Sequence, residues 1–195
     1  MHRDTGFTLM ELLVTIVVVT ILLAVGIPAF KDFLKSNRVT AQANDLVSAI
    51  QLARSEALKR GSYMILCASD DQANCTGKDT WTNGWIIFSD MDPSDPASGP
   101  NPTVGTGKCL ASEDCIIKIS QGLSEGSTLT TNADFLCFLP TGLSGTHLPP
   151  STVCSRDNAD AVEFKLEARD CEKNQARKIS VTPKGHTLVA VDKCS

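Results

Sequence analysis

Thr5-Gly6-Phe7-Thr8-Leu9-Met10-Glu11-Leu12-Leu13 joins a short leader, carrying His2 and Arg3, directly to an apolar run with one carboxylate near its start. The nineteen residues 12–30 carry no charge. At about 1.5 Å per residue a helix of that length spans about 28 Å, close to the hydrocarbon core of a bilayer. The segment can therefore cross a membrane. A secretory signal is cut after its apolar run, at small residues, whereas Gly6 comes before it, so cleavage after Gly6 leaves the anchor attached. The retained helix begins at Phe7 and carries Glu11 into the membrane, an expensive placement unless a partner neutralises the carboxylate. The plainer alternative is an ordinary single-pass anchor whose Glu11 sits at the interface and reaches water. Pro28, near the far end, fits either reading.

These residues resemble the class III signal of type IV pilins and type II secretion pseudopilins, with Gly6 at the cut, Phe7 as the new N-terminus and Glu11 four residues later. The resemblance implies that a prepilin peptidase cuts between Gly6 and Phe7 and methylates the new Phe7 amine. It also implies that Glu11 pairs with the N-terminal amine of a neighbouring subunit. The physics agrees, since an ion pair in low dielectric recovers part of the desolvation cost that each charge bears alone.

Beyond leader and anchor about 165 residues remain, enough for one domain with a real core, and no repeat points to a second. The expected organisation is a cleaved leader at 1–6, a transmembrane and filament-core helix at 7–30, and a head at 31–195 that includes the amphipathic half of the helix. The net charge of −4 survives leader removal, because Arg3 and Asp4 cancel, and argues against a protein-wide nucleic-acid surface. Eight cysteines, all beyond the anchor, fit an oxidising compartment. They place the head in the periplasm of a single-pass inner-membrane protein. Lys31, Lys35 and Arg38 follow the anchor, so flanking charge is a poor guide to orientation. No Cys-x-x-Cys pair occurs, and the spacings of the cysteines match no zinc site, so neither metal nor cofactor is expected.

Helical character continues past Pro28 to Arg60, with Phe33, Leu34, Ala43, Leu46, Val47, Ile50, Ala53 and Ala57 at three- and four-residue steps. Asn37, Gln42, Asn44, Gln51, Arg54 and Lys59 form the wet face, and Gly61 is the stop. Short β-rich runs follow at 63–67, 85–88, 115–119, 134–138, 161–166, 178–181 and 187–191, separated by turn residues, which reads as antiparallel sheet. The proline-rich segment 90–102 reads as an exposed loop.

A long helix packed on antiparallel sheet is an α+β arrangement and that of the type IV pilin fold. Leu52-Ala53-Arg54-Ser55-Glu56-Ala57 resembles the helix signature of the GspH/FimT family. Cys67, Ser69-Asp70, Cys75, Trp81, Gly84-Trp85-Ile86-Ile87-Phe88 and Asp90 resemble the first sheet module of its FimU- and FimT-type minor pilins. The last module, 164–194 with Gly185 in its final hairpin, resembles the closing strands of the family. The resemblance implies the disulfides Cys67–Cys75 and Cys171–Cys194, while Cys109–Cys115 and Cys137–Cys154 are paired only by proximity. Eight cysteines allow 105 connectivities.

Little in the mature chain invites catalysis. His147 and His186 lack an accompanying nucleophile signature and read as surface residues. Gly142-Leu143-Ser144-Gly145 lacks the lysine of a phosphate loop and reads as a turn. Asp90, Asp92, Ser94 and Asp95 lack the later glycine and glutamate of a calcium loop. Trp81 and Trp85 offer a recognition pair, but the apolar run beside Trp85 puts at least that ring in the core. The segment 165–195 holds seven Lys/Arg against four Asp/Glu, an asymmetry that can mark an anion-binding face. DNA-uptake pilins of the FimT type carry Gly-Arg-x-Arg in the last hairpin, where this chain has Gly185-His186-Thr187-Leu188. Arg177, Lys178, Lys184 and Lys193 remain for weak, salt-sensitive DNA contact.

The resemblance implies a non-enzymatic minor pilin of the FimU-like type, first held in the inner membrane, then built into the pilus at or near its tip. There it helps prime assembly for adhesion and twitching motility. Its expected partners are the prepilin peptidase, the membrane, and other major and minor pilins. A type II secretion pseudopilin and a DNA-uptake pilin are the alternatives.

Overall fold

The computed structural model describes residues 8–90, 115–124, 126–148, 151–155, 161–171 and 175–194. The chain divides into two compact units, residues 1–38 and 39–195.

In the first unit, helix α1 (Leu9–Arg60) begins at a cap formed by Thr8. The Thr8 hydroxyl accepts the Glu11 N–H at 3.2 Å, and its carbonyl accepts from Glu11 and Leu12. Glu11, in the first turn, faces the positive end of the helix dipole. Thr15 and Thr20 donate their hydroxyls to the carbonyls of Leu12 and Val17, both at 2.8 Å, so neither leaves a polar group unsatisfied among apolar neighbours. Leu12, Val14, Ile16, Val18, Leu22, Val25 and Phe33 are all exposed, on every side of the helix. A helix apolar all round is suited to lipid or to other helices.

In the second unit, Val39, Ala43, Leu46, Ile50, Ala53 and Ala57 recur at alternating four- and three-residue steps and are fully or almost fully buried. Their alanines let the sheets approach closely. The helix ends at Gly61, whose φ of 65° is the left-handed stop and whose N–H bonds the Ala57 carbonyl at 2.9 Å.

Ten strands follow among the described residues: β1 (Tyr63–Ala68), β2 (Gly84–Asp90), β3 (Cys115–Gln121), β4 (Ser127–Thr131), β5 (Phe135–Phe138), β6 (Ser144–Leu148), β7 (Ser151–Ser155), β8 (Val162–Ala168), β9 (Ala176–Val181) and β10 (Thr187–Asp192). They form two antiparallel sheets, ordered β3-β2-β1-β5-β6-β7 and β10-β9-β8-β4. The fold is α+β, a long helix packed on antiparallel sheets.

One face of each sheet joins the helix in a shared core. Met64, Leu66, Trp85, Ile87, Leu136 and Phe138 come from the first sheet, and Leu129, Phe164, Leu166, Ile179 and Val181 from the second. The opposite face of the first sheet carries a second cluster of Ile65, Cys67, Ile86, Phe88, Cys137 and Cys154. Burial on both faces explains why β1 and β2 read as continuous apolar runs, whereas β8 alternates buried and half-buried residues. Trp81 is buried as completely as Trp85, and its ring meets Phe164 edge-on at 5.0 Å and 74°.

Several expectations need correction. β4, β6 and β7 were not anticipated, because Ser-Thr-Leu-Thr-Thr, Ser-Gly-Thr-His-Leu and Ser-Thr-Val-Cys-Ser lack apolar runs. Segment 142–145 is not one turn: Gly142 turns, but Ser144 and Gly145 open β6 against β5. Asp134 precedes β5 rather than belonging to it. Two residues assigned to the wet face are not wet. Gln42 is 9% exposed with its Nε2 on Ser124 Oγ at 2.7 Å, and Arg54 is half-buried in a junction described below. Of the segment 90–102 expected as a loop, Asp90 instead ends β2, paired with Tyr63, and 91–102 lie outside the described residues.

Candidate functional site

Gly6 and Phe7, the expected cleavage and methylation positions, lie outside the described residues. Glu11 is exposed in the first turn of α1, and only its backbone N–H is used by the Thr8 cap. Its carboxylate is thus presented on an apolar helix.

The disulfides shape the head. Cys67 is joined to Cys75, Cys137 to Cys154 and Cys171 to Cys194, with Cα separations of 5.6, 6.0 and 5.7 Å. Cys115 is also disulfide-bonded, and Cys109, its expected partner, lies outside the described residues. Inside the 67–75 loop, Asp71 Oδ1 accepts the backbone N–H groups of Ala73 and Asn74 at 2.9 and 2.8 Å, and Oδ2 accepts the Asn74 amide at 2.7 Å. The Asn74 backbone N–H, its side-chain amide and the Ala73 N–H hold the Asp71 carboxyl well below the usual range.

A junction that the sequence reading missed ties both sheets to the helix. Arg54 donates Nε–H to the Gly142 carbonyl at 3.1 Å, in the β5–β6 turn, and an Nη2 hydrogen to the Lys184 carbonyl at 3.3 Å, in the β9–β10 turn. Ser144 adds its N–H to the Pro183 carbonyl at 3.1 Å and its hydroxyl to the Thr182 carbonyl at 2.7 Å. The available signal was a lone arginine between Ala53 and Ala57, both buried. One turn on, Arg60 hydrogen-bonds Glu56 and, against the opposing push of burial, holds its carboxyl below the ordinary range, with Lys59 adding to the effect.

The basic residues near the C-terminus do not converge. Arg177 donates to Thr40 Oγ1 at 3.2 Å and so lies against the helix. Lys178 pairs with Glu163 at 2.7 Å on the outer face of the second sheet. Lys184 and Lys193 are exposed at opposite ends of β10. A DNA backbone meeting this region would find two cations already engaged and two separated by a strand, a weak phosphate platform.

His186 is exposed in the final hairpin, and the side chain of His147 lies outside the described residues. Among the described residues no three His, Cys, Asp or Glu side chains gather as a metal site would require. A groove of about 670 Å³ lies between α1 and the final hairpin, lined by residues that include Ile50, Arg54, Leu58, Gly185, His186 and Leu188.

Comparison with known proteins gives two family matches. The model described as type II transport protein GspH matches residues 42–185, and the prokaryotic N-terminal methylation motif matches residues 1–27. A fimbrial protein of Pseudomonas aeruginosa is 32% identical over 69 residues, covering 35% of this chain and 44% of that protein. The chain thus aligns with less than half the length of this curated relative. Among solved structures, the type IV minor pilin FimU of Pseudomonas aeruginosa superposes with a TM-score of 0.50 at 17% identity, over 81% of this chain and 92% of that one. The minor pseudopilin EpsH of the Vibrio cholerae type 2 secretion system gives 0.49 at 11% identity, over 79% and 97%.

Proposed function

This chain belongs to the GspH family, and from that premise we propose that it is a minor pilin of the FimU-like type, built into a type IV pilus at or near its tip to help prime assembly. Membership makes it a minor pilin or pseudopilin, a structural subunit of the type IV pilus or type II secretion class. The tip and priming roles are the proposal's own step, supported by the likeness to FimU-type pilins.

The observation that carries the reading is the methylation motif at 1–27 running into a helix whose early residues are apolar on every side. A prepilin peptidase cuts between Gly6 and Phe7 and methylates the Phe7 amine. The processed chain waits in the inner membrane with its head in the periplasm, then leaves lipid for a bundle of pilin helices. Helix packing replaces lipid contact. Glu11 sets axial register by pairing with the amine of a neighbouring subunit, where low dielectric makes an unpaired carboxylate costly.

The test is mass spectrometry of sheared surface filaments from cells with and without the peptidase. A peptide beginning at methylated Phe7, present only with the peptidase, is the expected result. The family's description names type II transport, so a secretion pseudopilin is the second reading. Processed chain found in the envelope but absent from sheared filaments would favour it and overturn the pilus assignment.

A further inference from the structure

The geometry points to the free edge of β10 as a docking site for an extended, apolar segment with acidic flanks, donated by a neighbouring filament subunit and added as a fifth strand to the second sheet. Only the donor's identity rests on the proposed function.

Among the described residues β10 is the outermost strand of its sheet. Leu188 is 62%, Val189 49% and Val191 61% exposed, and Ala190 is exposed as well. Natural edges are usually blunted by lysine, proline or a bulge. Residues 187–191 contain neither of those residues, and their register with β9 is unbroken from Thr187↔Val181 to Asp192↔Ala176.

The ladder shows which backbone groups are free. Thr182 N–H bonds the His186 carbonyl at 2.9 Å, so residues 182 and 186 are a hydrogen-bonded pair. Alternation along an antiparallel ladder then makes Thr187, Val189 and Val191 members of non-hydrogen-bonded pairs, whose N–H and C=O groups point away from β9. Their side chains share a face with Val181 and Ile179, both fully buried. An added strand would extend both the ladder and the apolar face of the core. The groove beside Ile50, Leu58 and Leu188 leaves room next to that edge.

β10 is also held at both ends. The turn before it is tied down by Arg54 and Ser144, and Cys194 just after it is bonded to Cys171. A strand fixed in advance does not bear the ordering cost at the moment of binding.

Charge selects the occupant. Lys184 and His186 are exposed at the start of the edge and Lys193 at its end, while Asp192 lies on the outer face, in a depression it shares with Lys165 and Lys178. A second copy pairing antiparallel would bring the Lys184 and His186 end of each edge against Lys193 of the other, and facing like charges destabilise a strand pair. A segment with carboxylates at both ends complements the edge in either direction.

The test uses the full chain in detergent micelles and a synthetic peptide of alternating valine and threonine ended by glutamates, beside a lysine-ended counterpart. Amide exchange followed by NMR should slow by at least about tenfold at Thr187, Val189 and Val191, with little change at Leu188 and Ala190, which already bond β9. The lysine-ended peptide should give little protection. Val189→Pro removes a donor that β9 does not use and should abolish the effect, and Val189→Thr should retain it. If Val189→Pro unfolds the head, Thr187→Pro serves the same purpose. Absence of selective protection overturns the site, and equal protection by both peptides overturns the acidic flanks. Protection that rises with chain concentration without peptide overturns the occupant in favour of a second copy. Failure to find methylated Phe7 in filaments bears on the proposed function and leaves these amides untouched.

Discussion

Gly185→Ala should destabilise the head far more than Gly61→Ala, although the two glycines have nearly equal backbone angles, φ 75° and 65°. A left-handed alanine costs about 1–2 kcal/mol at either site. At Gly61 that is the whole expected penalty, because nothing lies within 4 Å of an added Cβ. At Gly185 the Cβ would fall on the Gly142 carbonyl oxygen and within 2.9 Å of Arg54 Nε, so it displaces the donor from its acceptor. Loss of one charged hydrogen bond adds about 1.5–3 kcal/mol, for a total of about 2.5–5 kcal/mol. At about 2–4 °C per kcal/mol for a domain of this size, Gly185→Ala should lower the melting temperature by about 5–20 °C, and Gly61→Ala by about 2–8 °C. The assay is thermal unfolding of the full chain in detergent, disulfides intact, followed by tryptophan fluorescence. Trp81 and Trp85 are the chain's two tryptophans and both lie buried in the second unit, so the apolar early turns of α1 do not contribute. Equal shifts for the two variants would refute the role of the junction. Arg54→Ala should add less in the Gly185→Ala background than alone, since both remove the same bond.

Glu11→Ala should leave processing intact, because the Thr8 cap uses the backbone N–H of residue 11 and not its carboxylate, while abundance in sheared pili falls; unchanged abundance counts against the register role. Trp81→Ala should cost about 3–5 kcal/mol by emptying a fully buried site against Phe164, whereas Trp81→Phe keeps an edge-on ring and should cost clearly less, both read by denaturant midpoints. The carboxyls of Glu56 and Asp71 are both lowered by folding from 4.5 and 3.8, so each contributes stability above its unfolded value that is lost as pH falls through the folded one. Head stability should therefore decline as pH drops below about 4.5, and Glu56→Gln with Asp71→Asn should flatten that decline; an unaltered slope would count against both.

What was legible in the sequence was what apolar spacing alone determines. The buried stripe from Ala43 to Ala57 follows from three- and four-residue steps, and β1 and β2 from continuous apolar runs. β4, β6 and β7 were not legible, because serine, threonine and glycine become strands only when β8 and β5 offer a ladder to complete. Gln42 and Arg54 read as wet because a helix pattern tests for apolar contact, and these two residues are covered by polar partners instead, Ser124 and two turn carbonyls.

The chain shows more apolar surface than its own fold needs in two places, and the backbone separates their meanings. In the early turns of α1, before Pro28, the main chain is helical and bonds itself, and the threonine hydroxyls bond it too. Apart from the Glu11 carboxylate, such a surface asks only for apolar company, which lipid and other helices both supply. On β10 the apolar side chains come with N–H and C=O groups of Thr187, Val189 and Val191 that point away from β9, and no other strand pairs with them among the described residues. Water can bond those groups, but an added strand would bond them and cover the apolar side chains together. The first surface is therefore suited to exchanging partners and the second to choosing one.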